Sequence, residues 1–74
     1  MNEEAFDKSV EILHKAEDKC ADGSEEYAQL LLDFLHTWDR EDAQMHKCEY
    51  TGRWQVWIDE NRIDHSDDAV EAVA

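Results

Sequence analysis

Residues 44–58 read QMHKCEYTGRWQVWI, and the way this stretch folds decides the architecture of the chain. Tyr50-Thr51-Gly52 fits a three-residue hairpin loop with Gly52 in the left-handed region that glycine enters without steric cost. Such a loop fixes a register. Glu49 faces Arg53 and Lys47 faces Gln55 on a polar side, while Cys48 faces Trp54 and His46 faces Val56 on an apolar side that Ile58 extends. Only Trp57 departs from the sorting, falling on the polar side opposite Met45.

Working outward, residues 58–64 predict a short third strand. A two-residue turn at Glu60-Asn61 sets Ile58 against Ile63 and Asp59 against Arg62. Ser66 is then the expected N-cap of a C-terminal helix whose first turn carries Asp67 and Asp68. On the other side of the hairpin, Ser24 is the expected N-cap of a helix with Glu25 and Glu26 in its first turn. Tyr27, Leu31, Phe34, Leu35 and Trp38 recur along it at helical spacing. That stripe, widened by Leu30, is more apolar than one partner helix requires, so a sheet or a second subunit is expected to cover it. The first helix is expected over Glu3–Lys19, capped by Asn2 and stopped by Asp22-Gly23. Its apolar stripe is Phe6, Val10, Leu13, Ala16 and Cys20, and Glu4–Lys8 and Glu11–Lys15 are ordered pairs on the wet face. The expected fold class is therefore α+β, with two N-terminal helices, a β-hairpin or three-stranded meander, and a short C-terminal helix. An all-helical chain, with the second helix continuing through residue 48, is the alternative.

Seventy-four residues make one domain, near the lower limit for an unaided core. The chain carries 20 acidic and 7 basic side chains, a formal net charge of −13, which opposes direct binding to nucleic acid or to an anionic membrane and favours a basic partner. The charge is unevenly placed. Residues 1–21 carry a net −3, residues 22–42 a net −6 and residues 59–74 a net −5, whereas residues 43–58 carry +1. No apolar run is long enough to span a membrane, and the acidic start Met1-Asn-Glu-Glu lacks the regions of a signal peptide, so a cytoplasmic location is expected. Two cysteines, Cys20 and Cys48, are too few for a disulfide framework, and reduced thiols are the plainer expectation over a bridge.

The residues that bear chemistry form no catalytic or metal-binding signature. His46-x-Cys48 is the only close pair of metal-ligating type, where a structural zinc site needs two such pairs, and the hairpin register sends both side chains into the core. The same placement argues against Cys48 as an activated nucleophile. Ser24 and Ser66 are taken up as caps, there is no glycine-rich phosphate loop, and neither an enzymatic activity nor a cofactor is expected. What remains is acid in two concentrations, one at Asp39, Glu41 and Asp42, the other at Asp59, Glu60, Asp64, Asp67, Asp68 and Glu71. Helix starts and solubility explain part of it, and adaptation to high salt is a further reading. Carboxylates at several-ångström spacing also resemble a phosphate backbone to a basic groove. Trp57, without an assigned core, is the natural apolar anchor for such a contact.

In overall character the chain resembles the small acidic proteins with which viruses of bacteria disable host nucleic-acid machinery, nucleic-acid mimics and anti-CRISPR inhibitors among them. The resemblance is one of composition and carries no residues across. The expected function is a non-enzymatic inhibitor or regulator docking an acidic face onto a basic, nucleic-acid-binding protein. Two other readings are an assembly module that forms a homodimer through its apolar second helix, and a small metal-binding regulator.

Overall fold

The computed structural model describes residues 3–21 and 23–74. The proposed cap Asn2 and the stop at Asp22 lie outside them. The element order is α1 (Glu3–Glu17), α2 (Glu25–Thr37), β1 (Ala43–Lys47), β2 (Trp54–Ile58), β3 (Asn61–Ile63) and α3 (Ser66–Val73). The fold is α+β, with a three-stranded antiparallel meander in the order β1-β2-β3. No helix among the described residues is long and apolar enough to cross a membrane.

Helix α2 is the hub. The Ser24 side chain accepts the Tyr27 N–H at 3.2 Å and so caps its start. Its stripe of Tyr27, Ala28, Leu31, Phe34 and Leu35 is buried, and α1, α3, β1 and β2 all pack against it. The main stripe of α2 is thus covered within the chain by two helices and one sheet face, while Leu30 and Leu32 stay half-buried. Phe6 and Trp38 add an edge-to-face pair at 5.3 Å, and the Trp38 indole N–H donates to Ser9 Oγ at 3.1 Å. Helix α1 ends at Glu17 rather than Lys19, with Lys19 and Cys20 bonded back to the Ala16 carbonyl region as the chain turns away.

The hairpin forms, but in a different register. Its loop has four residues, Glu49–Gly52, with Cys48 N–H donating to Arg53 O at 2.8 Å and Gly52 N–H to Cys48 O at 2.9 Å. The pairs are therefore Ala43–Ile58, Gln44–Trp57, Met45–Val56, His46–Gln55 and Lys47–Trp54. One residue of slip turns every β1 side chain to the other face of the sheet. The core gains Ala43 and Met45 in place of His46 and Cys48, which is the better sorting by hydrophobicity. On β2 the faces are as expected, with Val56 and Ile58 buried and Trp57 outward. The next turn uses Asp59-Glu60 instead of Glu60-Asn61, so Ile63 pairs with Val56, Arg62 with Trp57 and Asn61 with Ile58. A two-residue shift of this kind leaves Ile63 on the core face.

Gly23 locks the α1–α2 connection to the sheet. Its carbonyl accepts the Trp54 N–H at 2.7 Å, its φ is +81°, and a Cβ there would lie 2.8 Å from Arg53 Cζ. Ser66 is the first residue of α3 rather than its cap. It is 1% exposed, and its hydroxyl is turned to the Glu17 carboxylate. Asp68 does the capping work instead, accepting the N–H groups of Asp64 and His65, each at 3.2 Å.

Glu17 joins three helices, since Tyr27 Oη donates to its Oε1 at 2.8 Å and Ser66 reaches it from α3. The Tyr27 hydrogen bond is the main cause that holds the Glu17 carboxyl below its ordinary range, against the opposing effect of burial. A carboxylate with a depressed folded pKa stabilises the fold above its unfolded value, about 4.3, and loses that contribution as pH falls through the folded value. Glu17→Gln should therefore destabilise by on the order of 1 kcal/mol near pH 7, with the gap to the native chain narrowing at an acid pH below the folded value. Urea titrations at the two pH values measure the gap. A gap of the same size at both would rule out the carboxylate as its source.

Candidate protein-binding face

The helices cover one face of the sheet and leave the other to solvent, with Gln44, His46, Gln55, Trp57 and Arg62 on it. Trp57 keeps the outward position expected for it, opposite Gln44 rather than Met45. Its indole N–H donates to Gln55 Oε1 at 3.1 Å, and its ring lies near-parallel to His46, with centroids 6.2 Å apart and planes 13° apart. His46 and Trp57 belong to diagonal positions of adjacent strands, where side chains on one face come within reach. The slipped register brings the imidazole out of the core and onto the indole. Asp42, Gln44, His46, Trp57 and Asp59 together line a shallow groove of about 300 Å³.

Two residues of that groove come from acid concentrations far apart in sequence. Since Ala43 pairs with Ile58, the residues just outside the ladder, Asp42 and Asp59, meet at one end of the sheet. The α2–β1 connection places the rest. Helix α2 closes with Asp39 N–H on His36 O at 3.3 Å and Arg40 N–H on Leu35 O at 2.8 Å, while Asp39 takes a left-handed φ of +68°. This is the Schellman arrangement, with aspartate where glycine is commoner. Arg40 then turns back, donating from Nη1 to Ala72 O at 3.2 Å and gripping Asp42 with Nε and Nη2 at 3.1 and 3.0 Å. That fork holds the Asp42 carboxyl below and the Arg40 guanidinium above its ordinary range. His36 Nε2 donates to Ala43 O at 3.0 Å and fixes the strand that follows.

Of the nine acidic residues singled out in the sequence, the fold gathers Asp39, Glu41, Asp42, Asp59 and Glu60 at this end, with Glu71 beside Ala72 on α3. All six are exposed, and only Asp42 among them has a hydrogen-bonded cationic partner among the described residues. The other three lie toward the opposite end of α3 and are engaged. Asp64 pairs with Arg62 at 2.6 Å, Asp67 with His14 at 3.3 Å, and Asp68 caps α3. Sequence neighbourhood had joined Asp59 and Glu60 to Asp64, Asp67 and Asp68. The strand β3 carries the two groups apart.

Asp59 has φ +55°, and with Asp39 it makes up the non-glycine residues of positive φ among the described residues. Both belong to the acidic end, where Asp39 closes α2 and Asp59 opens the β2–β3 turn, and aspartate enters this region more readily than most side chains. Basic side chains are not absent from this region, since Arg40 holds Asp42 and Arg62 stands on the open face opposite Trp57, paired with Asp64; Arg53, Arg62 and His65 also line a separate 300 Å³ cleft beside Gly23 and Tyr27.

Cys20 and Cys48 are free thiols. Cys48 sits at the hairpin loop rather than in the core. Hydrogen bonds from the Thr51 hydroxyl, then from the Thr51 and Tyr50 N–H groups, draw its thiol below the ordinary range. Among the described residues no three His, Cys, Asp or Glu side chains are placed to hold a metal ion. Compared with protein-family models, curated proteins and solved structures, the chain has no significant match.

Proposed function

We propose that the protein is a non-enzymatic inhibitor or regulator that docks its acidic end and the adjoining open sheet face onto a basic, nucleic-acid-binding protein. The observation that carries this reading is the meeting of Asp42 and Asp59 beside the Trp57–His46 pair, with Asp39, Glu41 and Glu60 in the connections at the same end of the sheet. Exposed carboxylates steer a cationic partner and suppress acidic ones, while an aromatic at the centre supplies contact area that charge alone does not. The overall charge of −13 adds long-range attraction of the same sign. The test is capture from a host lysate on the immobilised protein, with elution along a salt gradient and identification by mass spectrometry. Basic nucleic-acid-binding proteins should leave the column as salt rises. Retention of partners without regard to salt, or a stable self-dimer by light scattering, would favour an assembly module instead.

A further inference from the structure

We propose that the groove between Asp42 and Asp59 is a seat for an arginine side chain of the partner, its guanidinium lying on the Trp57–His46 pair and its N–H groups directed to Asp59. This rests on the proposed function and specifies which group of the basic partner the face selects.

Four features of the groove suit a long cationic side chain, and two of them, the aromatic surface and a carboxylate able to accept a fork, favour guanidinium over a compact ammonium. The first is an aromatic surface. His46 is stacked near-parallel to Trp57, and the Trp57 ring is held by its own hydrogen bond to Gln55, so that surface is set before a ligand arrives. Guanidinium stacks on such a plane, and tryptophan is the strongest aromatic partner for a cation. The second is carboxylate at the rim, contributed by both Asp42 and Asp59. The third is the difference between those two carboxylates. Arg40 already grips Asp42 in a two-pronged fork, while Asp59 feels the same guanidinium only at longer range and makes no hydrogen bond of its own among the described residues. Asp59 is thus the acceptor left for an incoming fork, and Arg40 shows within the same chain how guanidinium fits a carboxylate at this rim. The fourth is size, since a shallow groove of about 300 Å³ has room for one long side chain.

Charge complementarity commits the groove to a cationic occupant from another protein. A second copy of this chain would bring its own net charge of −13 to a rim that is already acidic.

The experiment compares two nine-residue peptides, one of arginine and one of lysine, titrated into the native protein at fixed salt. Calorimetry gives the affinity, and the Trp57 indole N–H resonance in a nitrogen–proton spectrum reports the site. A stacking contribution at an exposed aromatic corresponds to about two- to fivefold tighter binding of the arginine peptide. Trp57→Leu, which keeps apolar bulk without the π face, should abolish that preference and leave salt-sensitive binding of both peptides. Asp59→Asn, which tolerates the positive φ, should weaken the arginine peptide more than the lysine peptide. Equal affinities for the two peptides with an unmoved Trp57 indole would overturn the arginine seat while leaving the acidic docking face standing. Failure of either peptide to bind, with no basic protein captured from lysate, would overturn the docking reading itself. A Trp57 indole that shifts with protein concentration alone would assign the groove to a second copy and equally overturn the proposal.

Discussion

Leu35→Ala should lower the unfolding free energy by about 2–5 kcal/mol. Leu35 is 0% exposed on a helix packed on both flanks and beneath the sheet. A cavity there has no free neighbour to collapse into it, since α1, α3 and the sheet are each tied to α2 by several other side chains. A domain of 74 residues has about 4–11 kcal/mol of stability in all, so the loss removes a large share of it. Ile12, 65% exposed on α1, is the matched control, and Ile12→Ala should shift stability by no more than about 0.5 kcal/mol. Urea midpoints with unchanged slopes measure both. Similar losses at the two positions would mean that α2 is not the hub of the core.

The second large effect concerns binding. The variant Asp39→Asn, Glu41→Lys, Asp59→Asn, Glu60→Lys removes or reverses charge at the acidic end that no cationic side chain holds by a hydrogen bond among the described residues. Asparagine is chosen at residues 39 and 59 because their φ values of +68° and +55° suit it, whereas lysine would add strain there. Each exposed charge pair with a partner is worth about 0.2–1 kcal/mol, so four together should cost about tenfold or more in affinity at low salt. Stability should hold or rise, because the substitutions relieve repulsion in a chain of net charge −13. A control that alters Asp64 and Asp67, already paired with Arg62 and His14, should leave affinity nearly unchanged. Partner affinity that survives the first variant and fails in the control would move the binding face to the start of α3.

The legible part of the fold was its periodicity. Leu31, Phe34 and Leu35 at helical spacing, Ser24 before an acidic turn, and Val56 and Ile58 alternating around Trp57 each specify an element and its buried side by local chemistry. Register was not legible in the same way. A three-residue loop over Tyr50–Gly52 and a four-residue loop over Glu49–Gly52 both give Gly52 its positive φ, and favourable charge pairing of Glu49 with Arg53 selected the wrong one. Burial of Met45 and Ala43 outweighs a surface ion pair, and the choice reverses the meaning of His46, from packed core residue to partner of Trp57 on the open face. Asp39 could not be foreseen as a helix-terminating residue because the usual signal there is glycine. The acidic site was half legible. Its residue types stood out in the charge sums, but which acids are neighbours depends on strand pairing, and only the ladder that aligns Ala43 with Ile58 brings Asp42 beside Asp59.

The most direct measurement of the central claim is a competition. The basic protein captured from lysate is held at fixed concentration with this protein, and its own nucleic acid is added in steps. If the acidic end occupies the groove that binds phosphate, the two ligands exclude each other, and the apparent affinity for this protein falls in proportion to the nucleic acid added. A ternary complex with undiminished affinity would show that the carboxylates do not stand in for a phosphate backbone.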